Sequence, residues 1–132
     1  MNIKDYKKLP EGLGKDDVKK YCDILLEEAE HEPTNATLDK LDEMGIRQWD
    51  TYETPDEDLQ DRLTDWINKN LELHDQRMIE GALKTIYSFS LSKDLYEKYL
   101  NVYIGEFKDQ CVEILNNAHG DRIDPYWRSK KI

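Results

Sequence analysis

Long apolar runs are missing from this 132-residue chain. No stretch approaches the ~20 consecutive apolar residues that a bilayer-spanning helix needs. The opening Met1-Asn2-Ile3-Lys4-Asp5-Tyr6-Lys7-Lys8 also lacks an apolar run of signal-peptide length, so a cytoplasmic location is expected. Cysteine is scarce: Cys22 and Cys111 stand far apart, each among apolar neighbours at helical spacing, with no CxxC or Cys/His cluster. Both therefore read as reduced core residues, and a redox or zinc role is not expected. Strand signals are lacking too, since no segment combines strict alternation, Asn-Gly turns and β-branched enrichment.

The motifs of common catalytic sites are equally absent. The chain has no GxSxG, no HExxH, no glycine-rich phosphate loop and no DxDxDG calcium order. Its three histidines fall at a helix end (His31), at a presumed turn (His74) and just before a closing glycine (His119). Cations near helix C-termini favour the helix dipole, which accounts for His31 and His119 without catalysis. Glu28-Ala29-Glu30-His31 supplies the Glu-x-x-His spacing of helical di-metal sites once, with Glu27 beside it, but no second copy occurs. Asp61 and Asp65 are a further carboxylate pair at helical spacing. No cofactor and no metal are expected, and the chain reads as a non-enzyme; a carboxylate- or metal-dependent hydrolase is the reading from the enzyme class.

What the chain does have is helical periodicity. At 132 residues it suits one domain with one core, and three Trp, eight Tyr and two Phe exceed what a disordered chain usually carries. After a polar lead-in over 1–15, Val18, Tyr21, Cys22, Leu25, Leu26 and Ala29 recur at three- and four-residue steps within Asp16 to His31, an amphipathic helix ended by Pro33. Thr34 or Asn35 can cap a shorter helix with Ala36, Leu38, Leu41 and Met44 inside, and Gly45 is expected to close it in a left-handed conformation. Ile46 to Glu53 fits neither period and reads as a loop or single turn.

Thr54-Pro55-Asp56-Glu57 predicts the next helix start, with Thr54 as N-cap, Pro55 at the first helical position and Glu57 closing a capping box. Leu59, Leu63, Trp66, Ile67 and Leu71 form one stripe, with Asp56, Glu57, Asp58, Asp61 and Asp65 on or beside the solvent face. A hairpin near Leu73-His74-Asp75 leads, through an Asp75 cap, to Met78, Ile79, Ala82, Leu83, Ile86 and Tyr87. Ser92 opens a last segment whose apolar phase runs from Leu95 to Ala118 across Gly105, compatible with one long helix or two. Residues 121–132, with Pro125-Tyr126-Trp127, are expected to dock back on the body. The fold class is therefore all-α: five or six antiparallel helices in a compact bundle or a short HEAT-like stack.

Charge is distributed unevenly. The chain carries −10 overall, yet from Asp23 to Asp65 fifteen acidic residues face three basic ones (Lys40, Arg47, Arg62), a balance of −12, leaving +2 for all the rest. Such a block disfavours nucleic acid and anionic membranes and speeds encounter with a basic partner. Aromatics interleave where acidity peaks, in Trp49-Asp50-Thr51-Tyr52-Glu53-Thr54-Pro55-Asp56-Glu57-Asp58. Binding hot spots pair aromatic anchors with a polar rim, while a solvated face that maintains solubility accounts for the same residues.

In size, acidity and helical content over the whole chain, the sequence resembles the immunity proteins that bacteria make to neutralise nuclease and other polymorphic toxins. The resemblance is one of type and carries over no motif. It implies a protein that binds and neutralises a cognate toxin with a basic surface, a nuclease among the candidates; the acidic block with its interleaved aromatics makes Trp49, Asp50, Tyr52, Glu53, Asp56, Glu57, Asp58, Asp61 and Asp65 the expected binding surface. The alternative among binding proteins is a helical adaptor or scaffold subunit with a tyrosine face of Tyr96, Tyr99 and Tyr103. Oligomeric state is left open.

Overall fold

Helix-forming residues with apolar spacing of three and four dominate the chain, and among the described residues they fold into six α-helices: α1 Lys15–Glu28, α2 Thr34–Trp49, α3 Glu57–Asn70, α4 Gln76–Ser88, α5 Lys93–Leu100 and α6 Lys108–Asn116. A 3-10 turn, Ala29–His31, continues α1. This computed structural model describes residues 10, 12–49, 51, 53–118 and 120–123, the Trp49 side chain excepted. No strand occurs among the described residues, only an isolated antiparallel bridge between Ser92 and Arg122. No helix among them is long and apolar enough to cross a membrane.

The bundle is built around α2 and α4, whose faces pack together; α1 lies against α2, α5 against α4, and α6 against α5. Leu38, Leu41 and Met44 from α2 meet Ile79, Ala82, Leu83 and Ile86 from α4 in a core that excludes water. Helix α3 adds Leu59, Leu63 and Ile67, all fully buried. At an upper estimate of about 1.5–3 kcal/mol per buried aliphatic side chain, this interior supplies most of the drive to fold. Polar side chains fix α3 between its neighbours. Arg62 pairs with Asp23 of α1, and the Tyr99 hydroxyl of α5 donates to Asn68 at 2.9 Å.

Three expected boundaries move. Gly45 does not close α2, which runs on through Ile46 to Trp49 and so includes half of the expected loop. The glycine is there for contact: a Cβ at position 45 would lie 2.6 Å from Ser88 Oγ and 3.0 Å from Phe89 Cε2, so α2 approaches the end of α4 through a bare backbone. Thr34 and Asn35 lie inside α2 instead of capping it, because the Pro33 carbonyl already accepts from the Thr37 amide at 3.2 Å. Helix α3 begins two residues later than Thr54 would place it. Asp56 is the cap, its carboxylate accepting from the Leu59 amide at 3.0 Å, and Pro55 is buried ahead of it.

Asp75 and Ser92 cap α4 and α5 as expected, by accepting from the Met78 and Leu95 amides at 3.1 Å each. The last apolar segment is two helices. Tyr103 turns inward between them, its hydroxyl donating to Glu80 at 2.8 Å, and Gly105 packs so closely on that ring that any Cβ would overlap it. Beyond α6, Gly120 takes a positive φ of 76°. The Ile123 amide then donates to the Leu91 carbonyl at 2.9 Å, and its side chain is buried. Residues 124–132 lie outside the described residues.

One carboxylate sits against the α2–α4 seam. Burial raises the Asp42 pKa above its ordinary value, opposed by a hydrogen bond from Ser88 and by the charge of Lys84. A carboxyl whose folded pKa is raised costs nothing while protonated in both states. Its cost grows once pH passes the unfolded value of about 4 and is complete above the folded one. Asp42→Asn keeps an acceptor for Ser88 and removes the charge. Thermal unfolding followed against pH is expected to show the variant more stable than wild type at neutrality, with the gap shrinking as pH falls through the raised folded value and closed by about pH 4.

Candidate functional site

The side chains of α3 divide cleanly because a helix repeats every 3.6 residues. Leu59, Leu63 and Ile67 point into the core, and this sends Glu57, Asp58, Asp61 and Asp65 out to solvent. Asp56 is half-buried at the cap. The Leu59 amide, aided by Lys19, holds its carboxyl below the ordinary range, so it stays charged. At the N-terminal end of α3 lies an open depression of about 470 Å³, lined by Asp56, Glu57 and Asp58 on one side and by Lys15, Ser90 and Arg122 on the others.

Cations the sequence placed elsewhere neutralise part of this face. Lys19 of α1 stands 3.4 Å from Asp56 and 3.7 Å from Asp58. Arg62 lies 3.1 Å from Asp58 across one helical turn while also holding Asp23, and that bond to Asp23 raises its own pKa. Glu57, Asp61 and Asp65 have no ion pair among the described residues. They form the outward charge of the face.

Of the other expected partner residues, Glu53 is exposed but already engaged. Its carboxylate accepts from the Lys15 amide at 2.8 Å and so caps α1, whose own N-cap, Gly14, has no side chain to offer. Trp49 ends α2, while Asp50 and Tyr52 lie outside the described residues. Tyr96, Tyr99 and Tyr103, the expected face of an adaptor, are each only 1% exposed. They belong to the interior of this chain, and burial together with Glu80 pushes the Tyr103 phenol up to about 12.

The far wall of the depression comes from the end of α4. Ser90 closes that helix at φ 55°, where a glycine is usual, with the Leu91 amide donating to Ile86 at 3.0 Å and the Ser90 amide to Tyr87 at 3.2 Å. Gln60, on the inner side of α3, binds this turn: its Nε2 donates to the carbonyls of Phe89 and Ser90 at 2.9 and 3.1 Å. Arg122 donates to the Ser90 carbonyl from the other side at 3.3 Å. Neither Ser90 nor Arg122 carries a signal in the sequence, since the first occupies a glycine position and the second reaches the wall only through the Ser92–Arg122 bridge.

Chemically, the face presents fixed carboxylates and backbone without a nucleophile–base pair. His31 and His74 are exposed, and His74 lies 3.2 Å from Glu72. Among the described residues no three His, Cys, Asp or Glu side chains converge as metal ligands. Glu28 and His31 lie at the outer end of α1 and its 3-10 extension, not in the bundle interior. Burial pushes the Cys22 thiol far up. No protein family, no curated protein and no solved structure matches this chain.

Proposed function

We propose that this protein is a toxin-neutralising immunity protein that captures a basic protein partner on the α3 face. One observation carries the reading: Glu57, Asp61 and Asp65 project to solvent along a single helix without counter-ions among the described residues, beside a depression rimmed by Asp56, Glu57 and Asp58. A field of this sign steers a cationic surface into contact. It resembles the phosphate run that a nucleic-acid-binding groove accepts, so a nuclease groove is a fitting target. The rigid α3 scaffold, locked at both flanks by Arg62 and Asn68, presents the carboxylates with little ordering entropy left to lose on binding.

The partner is obtained by capture on the tagged full-length chain from its native lysate, with washes at low and then high salt, followed by mass spectrometry. The expected result is one predominant basic protein. Against that protein, Asp61→Lys combined with Asp65→Lys is expected to slow association by about tenfold at low salt, with the difference narrowing as salt rises. Asp58→Lys, whose charge is shared with Lys19 and Arg62, is expected to have a smaller effect. An association rate indifferent to the double reversal would remove the assignment of this face.

A further inference from the structure

We infer that a second surface, formed by the α5–α6 loop and α6, pairs two copies of this chain in a two-fold dimer. The sequence-derived tyrosine face is unavailable for this, being buried, but the loop that contains Tyr103 holds two apolar neighbours outward. Ile104 is 83% exposed, and Val102 is exposed beside it. Neither is free to fold inward. Gln76 clamps the backbone between them, its Oε1 accepting from the Ile104 amide at 2.8 Å and its Nε2 donating to the Val102 carbonyl at 2.9 Å. Tyr103 meanwhile is anchored inside by Glu80. An aliphatic side chain held out in this way is a knob.

A hole lies on the same surface. Between α4, α5 and α6 is a half-open cavity of about 200 Å³, lined by Leu83, Tyr96, Phe107, Cys111 and Ile114 with Lys84 and Glu80 at its edge. It exceeds the ~150 Å³ in which an apolar cavity takes up benzene, so it admits a branched aliphatic side chain. Helix α6 has no fully buried residue, consistent with a helix that has apolar surface still to cover. Phe107 follows Ile104 by three residues, so knob and hole are contiguous. A two-fold rotation that seats Ile104 of one copy in the cavity of the other seats the reciprocal pair at once.

Charge selects a second copy as the occupant. Two chains of −10 repel each other through their acidic blocks. From Arg77 to Glu113, however, the chain carries five basic and six acidic residues, interspersed, for a balance of −1. Here like can meet like, and opposed Lys–Glu edges such as Lys84 and Glu80 are self-complementary across a two-fold axis. The acidic α3 face is left to its own partner, so the inference does not rest on the reading above.

Sedimentation of the purified full-length chain over a concentration series is the test. Wild type is expected to be a monomer–dimer equilibrium that tightens as salt screens the residual repulsion. Ile104→Asp is expected to weaken the dimer on the order of 100-fold. Ile104→Leu should retain it, and at concentrations low enough that the dimer is not populated all three proteins should melt alike, since the side chain touches solvent in the monomer. A wild type that stays monomeric at high micromolar concentration overturns the inference. A dimer that survives Ile104→Asp overturns it too.

Discussion

Gly45→Val is expected to cost roughly 3 kcal/mol of folding stability, a large share of a domain total in the range of about 5–15 kcal/mol. In an exposed helix interior, replacing glycine by a residue with a side chain is favourable, by up to ~1 kcal/mol for alanine, because glycine forfeits more backbone entropy. Here that gain is overridden. A Cβ at position 45 would fall 2.6 Å from Ser88 Oγ, 2.8 Å from Ser88 Cβ and 3.0 Å from Phe89 Cε2, and two further methyl groups would extend the overlap. Ser88 and Phe89 are both buried, so they have nowhere to retreat, and relief requires α2 and α4 to separate along their main contact. Gly81→Ala is the control. The three atoms nearest its Cβ all belong to the Leu38 side chain, the closest at 3.3 Å, a contact that a shift of a few tenths of an ångström relieves. Chemical denaturation of the two variants should show a large loss for Gly45→Val and a change within about 1 kcal/mol for Gly81→Ala. Equal effects would mean that the approach of position 45 to Ser88 and Phe89 is not the reason for the glycine.

The same residue shows where sequence reasoning reaches and where it stops. A glycine after an amphipathic run signals either a helix end or a close helix contact, and only the position of α4, far along the chain, distinguishes them. Thr54 and Asp56 are both competent caps two residues apart, and the choice falls on Asp56 through the Leu59 amide and the nearby Lys19. The break between α5 and α6 hides because Tyr99, Tyr103 and Phe107 keep four-residue spacing through it, although Tyr103 reaches the core from a loop. By contrast, the helix class and the outward set Glu57, Asp58, Asp61 and Asp65 were legible from one periodic stripe, Leu59, Leu63 and Ile67, whose burial determines the opposite face. The ion pairs were not: Lys19, which meets Asp56 and Asp58, and Asp23, which holds Arg62, come from another helix, and local spacing carries no information about them.

Gln60 ties that outward face to the interior, and Gln60→Glu is expected to cost about 3–5 kcal/mol at neutral pH. The amide is 5% exposed, and its two N–H groups satisfy the carbonyls of Phe89 and Ser90. A carboxylate of the same shape offers no donor there, so two buried acceptors face a buried charge at the wall of the depression. The introduced carboxyl escapes by holding its proton, which raises its folded pKa above the unfolded value of about 4.3. The deficit relative to wild type is therefore complete above the raised folded value and shrinks as pH falls toward about 4, where a protonated carboxyl regains one donor. Gln60→Leu, which cannot titrate, should show a deficit independent of pH; equal pH profiles for the two variants would count against a charge buried at this turn. Because the turn that Gln60 binds also positions Ser90 and receives Arg122, both variants are expected to loosen the far wall of the depression. Partner capture should then weaken even though every acidic residue on α3 is intact, separating the shape of the site from its charge.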